Sequence, residues 1–63
     1  MDMIRLTELI SALRGFGFDV SLRQFNEFVD AQDTGRQTWV ASASKSEVLD
    51  WLAVELRAQG FDG

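Results

Sequence analysis

The 63-residue chain contains neither cysteine nor histidine, and this restricts both how it can be stabilised and what it can catalyse. Disulfides and thiolate metal sites require cysteine, while histidine is the commonest zinc ligand and the usual general base at neutral pH. A chain of this size buries only about 60% of the surface that its unfolded form exposes. We therefore expect one domain, residues 1–63, held together by apolar packing and by any partner or second copy it binds.

The composition is that of a folded domain, because 46% of the residues are apolar and two tryptophans and five phenylalanines are present. The net charge is −4, and the six basic residues are spread along the chain without forming a run. Nucleic acids and anionic membranes are bound mainly through clustered Lys and Arg. Neither is therefore an expected partner.

The sequence shows no apolar run near the ~20 residues that cross a bilayer. Its first residues also lack the basic-then-apolar pattern of a signal peptide. These features favour a cytoplasmic location.

The first segment predicts an amphipathic helix over about residues 3–14. Asp2 is placed to cap its first turn, and Gly15 and Gly17 end it because glycine readily adopts the left-handed conformation at a helix C-terminus. Four apolar residues recur at helical spacing and predict its buried face: Leu6, Leu9, Ile10 and Leu13.

The second segment predicts a helix over about residues 22–33. Ser21 fits an N-cap and Gln24 occupies the capping-box position three residues later. The apolar residues just before it alternate from Phe16 to Leu22, which is a strand signal. A short extended piece before the helix therefore remains an alternative.

Residues 33–41 predict a turn followed by an extended segment near 36–41, since Thr38, Trp39 and Val40 are favourable strand formers. Ser44 and Glu47 then form a capping-box pattern at the start of the clearest helix, about residues 45–59. Its predicted buried face contains four apolar residues: Val48, Leu49, Leu52 and Leu56.

A Leu-Arg-x-x-Gly-Phe-Asp pattern occurs twice, at residues 13–19 and 56–62, each time after an amphipathic helix. A repeat architecture needs at least three units to bury its faces. The two copies are therefore interpreted as the same glycine-based helix stop used twice.

These elements predict a mainly α fold, a compact three-helix domain with one short extended segment. The alternative is an α+β helix–β-hairpin–helix fold, in which residues 25–31 and 36–41 pair as strands. Residues 33–39 and 44–52 resemble the hairpin and following helix of the arm-binding domain of tyrosine integrases, and are similar to those of small phage head-completion proteins. The integrase resemblance implies basic strands that grip DNA, and this chain lacks those basic residues.

Two short motifs typical of enzymes have simpler local explanations. Asp33-Thr34-Gly35 matches the aspartic-protease triplet but lacks the flanking apolar strands, and a turn explains it. The Ser42–Lys45 spacing of penicillin-recognising enzymes lacks its companion motifs, and helix capping explains Ser44. We predict no enzymatic activity and no catalytic, cofactor-binding or metal-binding residues.

The predicted function is a non-enzymatic protein-binding module, such as the small acidic inhibitors or adaptors that phages and mobile elements encode. The alternative is a self-associating structural subunit, and a small DNA-binding regulator is less favoured. Tryptophan is enriched at interface hot spots, and acidic side chains can dock on a basic partner. Six residues are therefore predicted to contact the partner: Trp39, Trp51, Val54, Glu47, Asp50 and Glu55.

Overall fold

The computed structural model describes residues 1–61, and all regular secondary structure in that range is helical. Four helices follow one another: α1 (Met3–Gly15), α2 (Leu22–Asp30), α3 (Thr34–Ser42) and α4 (Lys45–Ala58). Helix α1 packs against both α2 and α4. The predicted mainly helical class is confirmed. The helix–β-hairpin–helix alternative is wrong, because residues 1–61 contain no strand.

The core is formed by apolar side chains from all four helices and from the α1–α2 connection. No polar or charged side chain in residues 1–61 is buried, so no desolvated charge has to be compensated. Both Phe18 and Val20 of the connection are buried, although that segment is not a strand. The core side chains are Leu6, Leu9, Ile10, Leu13, Phe18, Val20, Phe25, Phe28, Val40, Val48, Leu52 and Leu56.

The helix starts follow the capping signals in the sequence. The side chains of Asp2, Ser21 and Ser44 each accept a hydrogen bond from a backbone amide of the first turn, which confirms all three predicted N-caps. The box at Ser21 is complete, because its own amide donates to Gln24 Oε1 at 3.0 Å. At Ser44 the Glu47 amide donates to Oγ at 3.3 Å, and the described residues show no reciprocal bond.

Helices α1 and α4 end in the same way. Gly17 and Gly60 adopt positive φ angles of 96° and 90°. The amides of Phe18 and Phe61 then donate to the carbonyl five residues earlier, each at 2.9 Å. This is the Schellman motif, and it confirms that the repeated pattern is a shared helix stop. Asp62, which completes the second copy, lies outside the described residues.

The predicted extended segment near residues 36–41 is wrong, because these residues lie within α3. Asp33 caps this helix by accepting a hydrogen bond from the Arg36 amide at 2.8 Å. Asp33 therefore begins a helix, and α2 ends at Asp30, three residues before its predicted end. Since residues 33–41 form no hairpin, the integrase-like and head-completion-like resemblance of this region is not supported by the fold.

Tertiary contacts stabilise α3 against its own strand propensity. Val40 is completely buried in the core. The guanidinium of Arg5 on α1 donates to the Val40 carbonyl at 3.2 Å from Nε and 3.0 Å from Nη2, and Nη2 also donates to the Ala43 carbonyl. These bonds satisfy carbonyls that a helix end leaves without an intrahelical partner. A nine-residue helix is marginal alone, so these contacts decide its conformation.

Candidate functional site

Two side-chain environments lie on different sides of α4, whose Leu52 is completely buried between them. The first is here named the aromatic cluster and contains Phe28, Arg36, Trp39 and Trp51. The second is here named the groove, and it lies between the end of α1 and α4. The aromatic cluster and the groove differ in how far neighbouring side chains cover their apolar residues.

In the aromatic cluster, Trp51 is enclosed by residues of α2 and α3. Its ring centroid lies 5.4 Å from that of Phe28 and 5.7 Å from that of Trp39, the latter pair edge-to-face at 88°. The Arg36 guanidinium carbon lies 4.7 Å from the Trp39 ring centroid and 4.9 Å from that of Trp51. Both tryptophans are half-buried and pack against the core. Side chains of the same chain therefore cover most of the Trp51 ring.

The groove is an open depression of about 470 Å³. Its two most exposed apolar side chains, Phe16 and Val54, are 62% and 63% exposed. A volume of this size lies within the ~300–1,000 Å³ range of pockets that bind small molecules. The residues that line it are Phe16, Phe18, Leu49, Asp50, Ala53, Val54 and Arg57.

The Schellman motif at the end of α1 shapes one wall of the groove. Positive φ at Gly17 reverses the chain direction after the helix. Phe18 enters the core with 1% exposure, whereas Phe16, which caps the helix, remains in solvent. Phe18 therefore forms the floor of the groove and Phe16 an exposed wall.

Helix α4 supplies the opposite wall. Ala53 leaves space beside Val54 because its side chain is a single methyl group. Asp50 and Arg57 lie seven residues apart, close to two helical turns, so both project from the same side of α4 about 10 Å apart along its axis. The wall is thus apolar at its centre with opposite charges towards its two ends.

The charges at the groove lack ion-pair partners among residues 1–61. The ion pairs in that range are Arg23–Glu27 at 3.4 Å and Lys45–Glu8. Arg57 instead extends over Phe18, with its guanidinium carbon 5.5 Å from the ring centroid. Within residues 1–61, neither Arg57 nor Asp50 is therefore neutralised by an ion pair.

The six predicted contact residues do not form one surface. Val54 and Asp50 line the groove, whereas Trp39 and Trp51 belong to the aromatic cluster. The two remaining acidic residues lie one turn before and after Trp51, and therefore on its side of α4: Glu47, exposed, and Glu55, half-buried.

Five groove residues were not predicted as contacts, namely Phe16, Phe18, Leu49, Ala53 and Arg57. The repeated helix-stop pattern is the sequence signal that could have identified Phe16 as exposed. It aligns Phe18 with Phe61 as the residue that follows the left-handed glycine, and so assigns the inward position to Phe18. No comparable local signal marks the other three.

A second depression of about 310 Å³ lies beside α2 and the end of α4. Its apolar lining includes Val20, Phe28 and Leu56, which are already buried core residues. It therefore exposes little apolar surface, and the groove remains the stronger candidate site.

Residues 1–61 contain no group of three or more His, Cys, Asp or Glu side chains positioned to hold a metal ion. Within the same range, no helix combines the length and the apolar character needed to cross a membrane. The chain matches no family model, no curated protein and no solved structure.

Proposed function

We propose that this chain is a non-enzymatic protein-binding module and that the groove is its contact surface. One observation carries the proposal: Phe16 and Val54 remain more than 60% exposed on a depression of about 470 Å³ that residues 1–61 leave unfilled. Large exposed apolar patches rimmed by polar groups mark protein–protein contact sites, and the groove has this arrangement on a smaller scale, with Asp50 and Arg57 beside Val54. A single exposed apolar residue, by contrast, is ordinary on a protein surface and does not by itself indicate a contact site.

In the proposed mode of binding, an apolar side chain of the partner enters between Phe16 and α4. Burial of Phe16 and Val54 stabilises the complex, because apolar surface is removed from water. Asp50 and Arg57 orient the partner through their opposite charges and disfavour partners with the wrong charge order. The chain then acts by direct contact alone, as a small cytoplasmic inhibitor or adaptor would.

The test compares Val54→Asp with Ile4→Asp. Each change places a carboxylate on an exposed helical position, since Val54 is 63% and Ile4 69% exposed, but Ile4 lies outside the groove. Tagged forms are used to capture partners from the native cell's lysate, supplemented with an untagged copy of the chain. We expect the unmodified chain and Ile4→Asp to retain a partner that Val54→Asp loses.

Circular dichroism of both variants establishes that the helices are intact before the captures are compared. Capture of the same partner by all three forms would show that binding occurs elsewhere on the surface. Recovery of the bait alone, with no other protein and no untagged copy, would contradict the proposed function itself.

A second candidate function is a self-associating structural subunit. It is favoured by a specific feature of α4, the placement of Asp50 and Arg57 on either side of Ala53 and Val54. A surface with this charge order is complementary to itself when a second copy approaches with its helix reversed.

A further inference from the structure

We infer that the partner of the groove is a second copy of this chain, docked so that the two α4 helices run antiparallel about a two-fold axis. The inference rests on the proposed function, because it identifies the occupant of the same surface. It requires that this surface be complementary to itself in shape and in charge.

The charge complementarity follows from the positions of two residues on α4. In a two-fold symmetric contact, if one residue meets a second residue of the other copy, the reverse contact also occurs. The midpoint between Asp50 and Arg57 falls between Ala53 and Val54. An antiparallel arrangement centred there places each Asp50 opposite Arg57 of the other copy, and forms two intermolecular ion pairs.

The shape of the groove supports the same arrangement. Ala53 at the centre allows close approach of the two helices, and the axes of packed helices lie ~8–10 Å apart. Val54 of each copy then packs against Ala53 and Val54 of the other. Phe16, a projecting side chain beside a depression, extends this apolar contact at the edge of the interface.

The size of the molecule is adequate for such a contact. A standard interface buries ~800 Å² on each partner. The chain exposes 3986 Å², so an interface of that standard size would cover about one fifth of its surface. Small domains without disulfides or metals commonly gain stability from oligomerisation, and this chain has no cysteine.

The experiment uses two charge reversals, Asp50→Arg and Arg57→Asp, and measures mass in solution by sedimentation equilibrium. The unmodified chain is expected to be a dimer. Each single variant places two like-charged pairs at the interface, so we expect its dimer dissociation constant to rise at least tenfold. An equimolar mixture of the two variants restores opposite charges at both pairs, and a one-to-one heterodimer is expected to form.

Arg23→Glu provides the matched control, because Arg23 is a highly exposed charge on α2 outside the groove. It should leave the dimer unchanged. A chain that is monomeric at every concentration tested would overturn the inference. So would a dimer that is insensitive to both reversals, or a mixture that fails to restore association. If the chain is monomeric but Val54→Asp still loses a captured protein, the proposed function stands and its partner is a different protein.

Discussion

The aromatic cluster and the groove lie on different sides of the same helix, yet they differ in how the chain treats its apolar groups. Trp51 is covered by Phe28, Trp39 and the guanidinium of Arg36. On the groove side, Val54 has no comparable cover and is 63% exposed. Residue type alone favours the tryptophans as contact residues. Coverage by neighbouring side chains, and not residue type, therefore decides which apolar residue remains exposed.

The largest expected effect comes from Trp51→Ala, which removes the centre of the aromatic cluster. A fully buried tryptophan costs ~3–5 kcal/mol when truncated, and we expect about 2–3 kcal/mol here because Trp51 is half-buried. Thermal unfolding followed by circular dichroism should show a midpoint lower by about 10–20 °C. An unchanged midpoint would mean that the cluster does not stabilise the fold.

An intermediate effect is expected from Gly17→Ala, which acts on the groove wall. Gly17 has φ of 96°, where an L-residue is strained by ~1–2 kcal/mol, so the free energy of unfolding should fall by about that amount. Gly15→Ala is the control, because Gly15 is helical and an added Cβ would meet no atom within 4 Å. Chemical denaturation should show this second variant to be as stable as the original or more stable. Equal losses in the two variants would contradict the role of the turn.

The smallest effect on stability is expected from Val54→Ser. At concentrations where the chain is monomeric, its free energy of unfolding should change by less than about 0.5 kcal/mol, because Val54 is exposed. The same change at the completely buried Val48 should cost more than about 2 kcal/mol. Urea denaturation of the two variants measures this contrast. A large loss in Val54→Ser would show that the groove side is part of the core.

These expectations separate binding from folding. Combining Trp51→Ala with Val54→Ser would mix a destabilised fold with an altered contact surface. Variants confined to the groove avoid that ambiguity, because Phe16 and Val54 contribute little buried surface to the monomer.

Helices α1, α2 and α4 were predictable because their signals are local. Each combines an N-cap with apolar residues at helical spacing, and the folded chain uses both. Helix α3 was predicted as extended because Thr38, Trp39 and Val40 favour strands. Asp33 was a local signal for its start, since aspartate is a preferred N-cap. The remaining stabilisation comes from Arg5 and from burial of Val40. Both depend on residues distant in sequence, so no local sequence pattern could predict them.

The candidate site was predictable in part for the same reason. Val54 could be selected because it is an apolar residue that lies off the apolar stripe of α4, and Asp50 because it is one of the acidic residues of that helix. Phe16 could not be selected from alternation alone, which groups it with the buried Phe18. Its exposure depends on the left-handed turn at Gly17, and the groove exists because that turn lies beside α4.

The helical conformation of α3 depends on the contact between Arg5 and the end of that helix. Arg5 is 35 residues from Val40 in sequence, so the closing hydrogen bonds of α3 come from a distant part of the chain. A fragment that begins after α1 would retain Asp33 but leave the carbonyls of Val40 and Ala43 to water. Its residues 34–42 would then lose the contacts that stabilise the helix, and a nine-residue helix is marginal without them. The helical state of this segment is therefore a property of the assembled fold and not of its own nine residues.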